Sequence, residues 1–144
     1  MTSLPKVFEI RQKVEEILKD KVSLVDSRVF RSRPQAIWDA VDLPCVCVYS
    51  ASESVETFDD HGKIAHRFHV LSVEILDALN KDLDLSLDKI KAQVESALMD
   101  YKHHTTKDWQ MIQITSVEWG LSAQGTRPIG ACRINFQFHY EEKF

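Results

Sequence analysis

Apolar residues recur along this chain with two different periods, and the switches between them mark out its elements. Val7, Ile10, Val14, Ile17 and Leu18 stand three and four apart, the spacing that lines one face of an α-helix. Ser3 can cap such a helix, and Pro5 suits its first turn, where the missing N–H is not needed. Glu9–Lys13 and Glu15–Lys19 are spaced to pair on the wet side. A helix over residues 4–20 follows. Val25–Phe30 reads as a short strand, and Pro34 pushes Arg33 into an extended conformation. Residues 35–41 are expected to form a helical turn anchored by Ile37 and Trp38. The run Pro44–Tyr49 is densely β-branched and apolar, which predicts a central strand covered on both faces.

Residues 50–63 turn acidic and polar, and Gly62 supplies a turn, so a long hairpin connection is expected there. The next strand, Ile64 to Leu76, changes parity partway. Ile64, Phe68 and Val70 share one face, and Leu71, Val73 and Ile75 share the other. Either a bulge near Leu71 shifts the register, or the strand is buried on both faces. Residues 77–85 read as an irregular acidic linker. Ser86 is then expected to cap a second helix with the stripe Leu87, Ile90, Val94, Ala97, Leu98 and Tyr101, and Met99 falls off that stripe.

Two strands close the chain. Trp109–Leu121 carries Ile112 and Ile114 between polar residues. Residues 131–141 alternate, with Ile134, Phe136, Phe138 and Tyr140 facing in and Arg133, Asn135, Gln137 and His139 facing out. The succession predicts an α+β fold: one domain spanning 1–144, a mixed or antiparallel β-sheet with two main helices packed on it. Val46, Val48, Phe68, Val70, Val94, Leu98, Ile134 and Phe136 are expected to meet in one core.

Composition narrows the function. Apolar residues make up 44% and charged residues 28% of the chain, the balance of a globular protein rather than a disordered or fibrous one. A net charge of −4 gives no basic face with which to neutralise phosphates, so specific nucleic-acid binding is not expected. Lys6, Glu9, Arg11 and Lys13 interrupt any apolar leader, and no run approaches the ~20 apolar residues of a membrane span. The expected setting is therefore cytoplasmic, with no membrane partner. The three cysteines are too few for a disulfide framework. Cys45 and Cys47 share one strand face and should pack as small hydrophobes.

The candidate chemistry is sparse. His66 and His69 lie three apart on a strand and point to opposite faces. His103 and His104 suit a helix C-terminus. Glycines stand only at 62, 120, 125 and 130, which leaves no phosphate-binding loop, and no Gly-x-Ser-x-Gly elbow is present. Most carboxylates sit on expected loops and helix faces, as solvated groups do. No catalytic residue, cofactor or metal ligand set is predicted. Two charged features remain. Arg28, Arg31 and Arg33 crowd beside a strand, which suits either a solvated edge that discourages strand pairing or an anchor at an interface. Glu53, Glu56, Asp59 and Asp60 mark the acidic segment, and long loops in compact domains often bind.

Several local strings, in their order, resemble the phage tail terminator family typified by minor tail protein U of lambda-like or Mu-like prophages. They are the leading amphipathic helix, Phe30-Arg31-Ser32-Arg33-Pro34, then Leu43-Pro44-Cys45-Val46-Cys47-Val48-Tyr49. Arg67-Phe68-His69-Val70-Leu71-Ser72-Val73-Glu74 follows the acidic segment, and an aromatic strand ends near Tyr140. Two departures stand out: Ser32 replaces a frequent Gly, and cysteines occupy two valine-type positions. The resemblance implies a non-enzymatic virion protein that caps the tail tube as a ring, typically a homohexamer. Such a ring ends tail polymerisation and presents the head-joining surface. Its implied partners are copies of itself, the tail tube protein and a head-completion or connector protein, with DNA passing through. It would assemble in the host cytoplasm and end in the virion tail. A head–tail connector or neck protein is the alternative, and a small cytoplasmic enzyme a more distant one.

Overall fold

A computed structural model describes residues 4–31, 43–57, 61, 63–78, 82–102, 109–122 and 129–144. The elements run α1 (Lys6–Lys21), a 3-10 turn (Ser23–Val25), β1 (Val29–Arg31), β2 (Cys45–Thr57), β3 (Ile64–Ala78), α2 (Leu83–Lys102), β4 (Trp109–Ser122) and β5 (Ile129–Lys143). The described strands form one five-stranded mixed sheet in the order β1-β2-β3-β5-β4. Its only parallel pair among the described residues is β1 with β2; the other pairings are antiparallel. The fold is α+β, with both helices packed on one face of the sheet.

Strand alternation sorts the side chains. Val46, Val48, Leu71, Val73, Ile75, Cys132, Ile134, Phe136 and Phe138 face the helices and join Ile10, Val14, Leu18, Ile90, Val94 and Leu98 in the main core. On the opposite face Cys45, Cys47, Leu76 and Ile129 make a second, smaller cluster, with Phe30, Leu43 and Tyr49 against it. β2 is thus covered on both faces over Cys45–Val48, as its composition predicts. β3 is buried continuously from Leu71 to Asp77, so the two-sided reading describes that half of the strand.

Several expectations are corrected. The register shift lies in β2 between Ser50 and Ser52, opposite Leu71 and Val70, and β3 itself pairs evenly with β5. Phe68 and Val70 therefore stay off the helix face and outside the main core. Residues 51–57 are strand rather than loop, because each from Ser52 to Thr57 finds a partner on β3. Residues 23–25 form a 3-10 turn, and Asp26 and Ser27 take left-handed φ of 49° and 63°, which confines the first strand to Val29–Arg31. Ser86 sits inside α2, where its hydroxyl donates to Asp77 Oδ2 at 2.5 Å instead of capping the helix. Met99 packs against the main core. On α1, Lys13 reaches Glu16 at 3.9 Å, while Glu15 is buried and turned toward Arg31. The expected turn at 35–41, the Ser3 cap and the His103–His104 helix end lie outside the described residues. No described helix is long and apolar enough to cross a membrane.

Candidate interaction surfaces

Beyond Ser50 the strand β2 leaves the apolar core, and a polar network takes over the helix-side face of β2 and β3. Glu53 is its centre. Tyr140 donates to Glu53 Oε1 at 2.6 Å, His69 Nδ1 lies 3.0 Å from the same oxygen, and Arg67 Nη1 donates to Oε2 at 2.9 Å. His69 Nε2 is 2.9 Å from Ser50 Oγ, which also accepts from Arg11 Nη1 of α1 at 3.0 Å. One tautomer satisfies this chain: Nδ1–H donates to Glu53, and Ser50 donates to the bare Nε2. Arg67 also lies 3.3 Å from Glu142 and over the Phe144 ring. The network joins α1, β2, β3 and β5, elements far apart in sequence.

The electrostatics follow from that geometry. Burial alone would raise the Glu53 pKa, but hydrogen bonds from Tyr140, Arg67 and His69 outweigh it and hold the carboxyl below its ordinary value. Burial pushes His69 down despite the adjoining carboxylate, so the ring favours its neutral form. Burial and then the hydrogen bond to Glu53 raise Tyr140. On the opposite face, His66 Nδ1 meets His139 Nε2 at 3.0 Å with the rings nearly parallel, and Phe68 stacks on His139. His66 and His69 do point to opposite faces. Burial drives the Cys132 thiol up to about 11, which makes it an inert core group.

The arginine segment forms the outer edge beyond β2. Arg28 Nε donates to the Pro44 carbonyl at 2.8 Å. Arg31 Nε reaches the buried Glu15 carboxylate at 2.5 Å, and its guanidinium covers the Phe8 ring. Half of the Arg31 side chain (53%) nevertheless remains exposed. Glu56 lies on the exposed arm of β2, whereas Glu53 turns inward. Arg33, Asp59 and Asp60 lie outside the described residues.

A feature that the sequence did not single out lies on the opposite edge. Trp119 and Leu121 of β4 are 58% and 73% exposed. Pairing with Cys132 and Gly130 sets them on the helix-side face of the sheet. Glu118 alternates with them and pairs with Arg133 on the other face. A concavity of about 260 Å³ lies beside Glu74, Glu118, Trp119 and Arg133. Among the described residues no group of three or more His, Cys, Asp and Glu is placed to hold a metal ion.

Comparison with known proteins supports the fold. No known protein family matches the sequence, and no curated protein matches it. Solved structures do. The chain is similar to one in the virion of a native gene transfer agent particle, with 13% identity over 91% of this chain and 92% of that one, at a TM-score of 0.52. It is also similar to the bacteriophage SPP1 gp17 protein, with 14% identity over 94% of both chains, at a TM-score of 0.48. At these identities the first likeness establishes a shared fold.

Proposed function

We propose that this chain is a non-enzymatic structural protein of a phage-type tail, acting as a tail terminator. In this reading it caps the tail tube as a homohexameric ring, ends polymerisation and offers the head-joining surface. The observation that carries the proposal is the end-to-end likeness, over nine-tenths of both chains, to a component of a gene transfer agent virion. The local strings from Phe30 to Pro34 and from Leu43 to Tyr49 supply the finer terminator assignment. Assembly takes place in the host cytoplasm, and the product resides in the virion tail.

A cyclic ring needs two different, complementary patches on each subunit. The arginine segment, Arg28, Arg31 and Arg33, is one such patch, contacting a neighbouring subunit or the tube. The β2–β3 arm carries Glu53 and Glu56, and Asp59 and Asp60 fall between its two strands in sequence. It is proposed to face the lumen, where like charge keeps passing DNA sliding rather than bound.

Tail length tests the function. Deleting the gene should give overgrown tails, and Arg33→Glu should reproduce that phenotype while the subunit stays folded. Normal tail length with Arg33→Glu removes Arg33 from the interface. Tails of normal length that fail to join heads in the deletion would instead indicate a connector or neck protein.

A further inference from the structure

Among the described residues, the two outer edges of the sheet are complementary to one another. Following the pairings across all five strands places Val29 of β1 level with Trp119 of β4, through Val46, Ile75 and Cys132. Phe30 is level with Glu118 and Arg31 with Val117 by the same route. β1 runs parallel to β2, and the remaining pairings alternate, so β1 and β4 run in opposite directions. A second copy set beside the first in the same orientation therefore brings β1 against β4 as an antiparallel pair, at matched height. Identical sheets can continue from copy to copy without reversing or sliding.

The chemistry of the edges fits this arrangement. Natural edge strands are commonly blunted by lysine, proline or bulges. β4 carries neither Lys nor Pro, and its two register shifts lie before Ser116. Ser116–Ser122 is thus a regular, unblunted edge. It holds one charge, Glu118, and the exposed Trp119 and Leu121. The opposite edge offers two guanidinium groups, Arg28 and Arg31, and a Trp face is the most favourable aromatic surface for such a cation. Val29 and Trp119 both lie on the helix-side face, so an Arg31 side chain reaches Trp119 diagonally across the joined strands.

We propose that β4, centred on Trp119, pairs antiparallel with the Arg28–Arg31 edge of a second copy of this chain, extending the sheet from subunit to subunit. The contact is head-to-tail, so each subunit uses both edges. The inference deepens the ring reading above by naming the partner surface of the arginines.

Sedimentation velocity over a range of concentrations tests it. The wild-type chain should associate. Trp119→Lys should weaken association at least tenfold, and Trp119→Phe should largely retain it, with both variants melting like the wild type. Arg28→Glu combined with Arg31→Gln breaks the other edge, and the glutamine keeps a donor for Glu15. Trp119→Lys and the arginine variant should each be monomeric alone, yet mixing the two should give dimers and nothing larger, because one intact contact remains. If the arginine variant does not fold, the Trp119→Lys and Trp119→Phe pair decides. A wild type that stays monomeric throughout overturns the proposal. So does association that Trp119→Lys leaves unchanged, or a folded arginine variant that still associates. The tail-length assay is separate: overgrown tails in the deletion, with no effect of Trp119→Lys on association, would retain the terminator and discard this interface.

Discussion

The near and far ends of the same sheet are held together by different physics. At the level of Cys45–Val48 both faces are sealed by apolar side chains, with Val46, Val48, Val73 and Ile134 under the helices and Cys45, Cys47 and Leu76 on the reverse. At the level of Glu53–Thr57 the apolar core persists only toward β5 and β4, where Phe138, Tyr140, Met111 and Trp109 stay buried, and every residue of β2 from Ser50 onward is exposed. There Glu53, His69 and Arg67 take the place of apolar side chains on β2 and β3, tied to the core through Tyr140. Apolar burial is insensitive to pH and contributes in proportion to area. A charged network is directional, titratable and small in net effect once desolvation is counted. The near end is therefore expected to set global stability, and the far end to open locally at lower cost.

The largest expected effect breaks the near end. Phe136 is fully buried and opposes Leu71 on β3 and Ile114 on β4. Phe136→Ala should lower the unfolding free energy by about 3–5 kcal/mol in denaturant melts. A loss below about 1 kcal/mol would show that the two sheet ends contribute alike and that the strand faces are misassigned.

The contrast also explains what was legible in the sequence. β5 reads cleanly because Ile134, Phe136, Phe138 and Tyr140 alternate with polar residues above a one-sided core, and the helix stripes are visible for the same reason. Cys45 and Cys47 read correctly as small buried groups. The far arm of β2 could not be read this way. Ser-Ala-Ser-Glu-Ser-Val-Glu-Thr has no apolar alternation, because its strand character comes from pairing with β3 and from partners as distant as Tyr140. The parity break in β3 was visible, but one strand's pattern does not say which partner holds the extra residue, and it is Ala51 of β2. Of the interaction surfaces, the arginine cluster was legible as composition. Trp119 was not, because an aromatic residue in a strand reads as core until its strand is seen to lie exposed at the end of the sheet. Glu53 was read as solvated, since its partners are close only after folding.

A smaller effect sharpens the comparison at the far end. Glu53→Ala leaves His69, Arg67 and Tyr140 without their shared acceptor. The expected loss is about 1–2 kcal/mol, discounted because 23% of the Glu53 side chain remains in water. Amide exchange should separate the ends: protection should fall for Ser52–Thr57 and Ile64–His69 and hold for Val46–Val48. A uniform loss along β2 and β3 would mean that the ends unfold as one unit.

The smallest effect, acidification, acts on the far end alone. The folded pKa of His69 lies below its ordinary 6.5, so the unfolded chain takes up that proton first. Its contribution is complete above 6.5 and is lost as pH falls from there toward the folded value. Glu53 has a folded pKa below its ordinary 4.5, so its contribution persists above 4.5 and is lost as pH falls further. The charged groups acting on His69 are Glu53 from β2 and Arg11 from α1, and Arg67 from β3 and Tyr140 from β5 bind the same Glu53 carboxylate. A protonated imidazole would gain attraction from Glu53 but would lose the hydrogen bond that Ser50 donates to Nε2. Amide protection in Ser52–Thr57 should therefore decline in two stages on acidification, the first beginning near neutrality and the second below 4.5, each smaller than the loss in Glu53→Ala. His69→Gln should remove the first stage and leave the second. Protection that rises as the pH drops through 6.5 would mean that the buried His69 is charged in the fold, with the ion pair to Glu53 outweighing its burial.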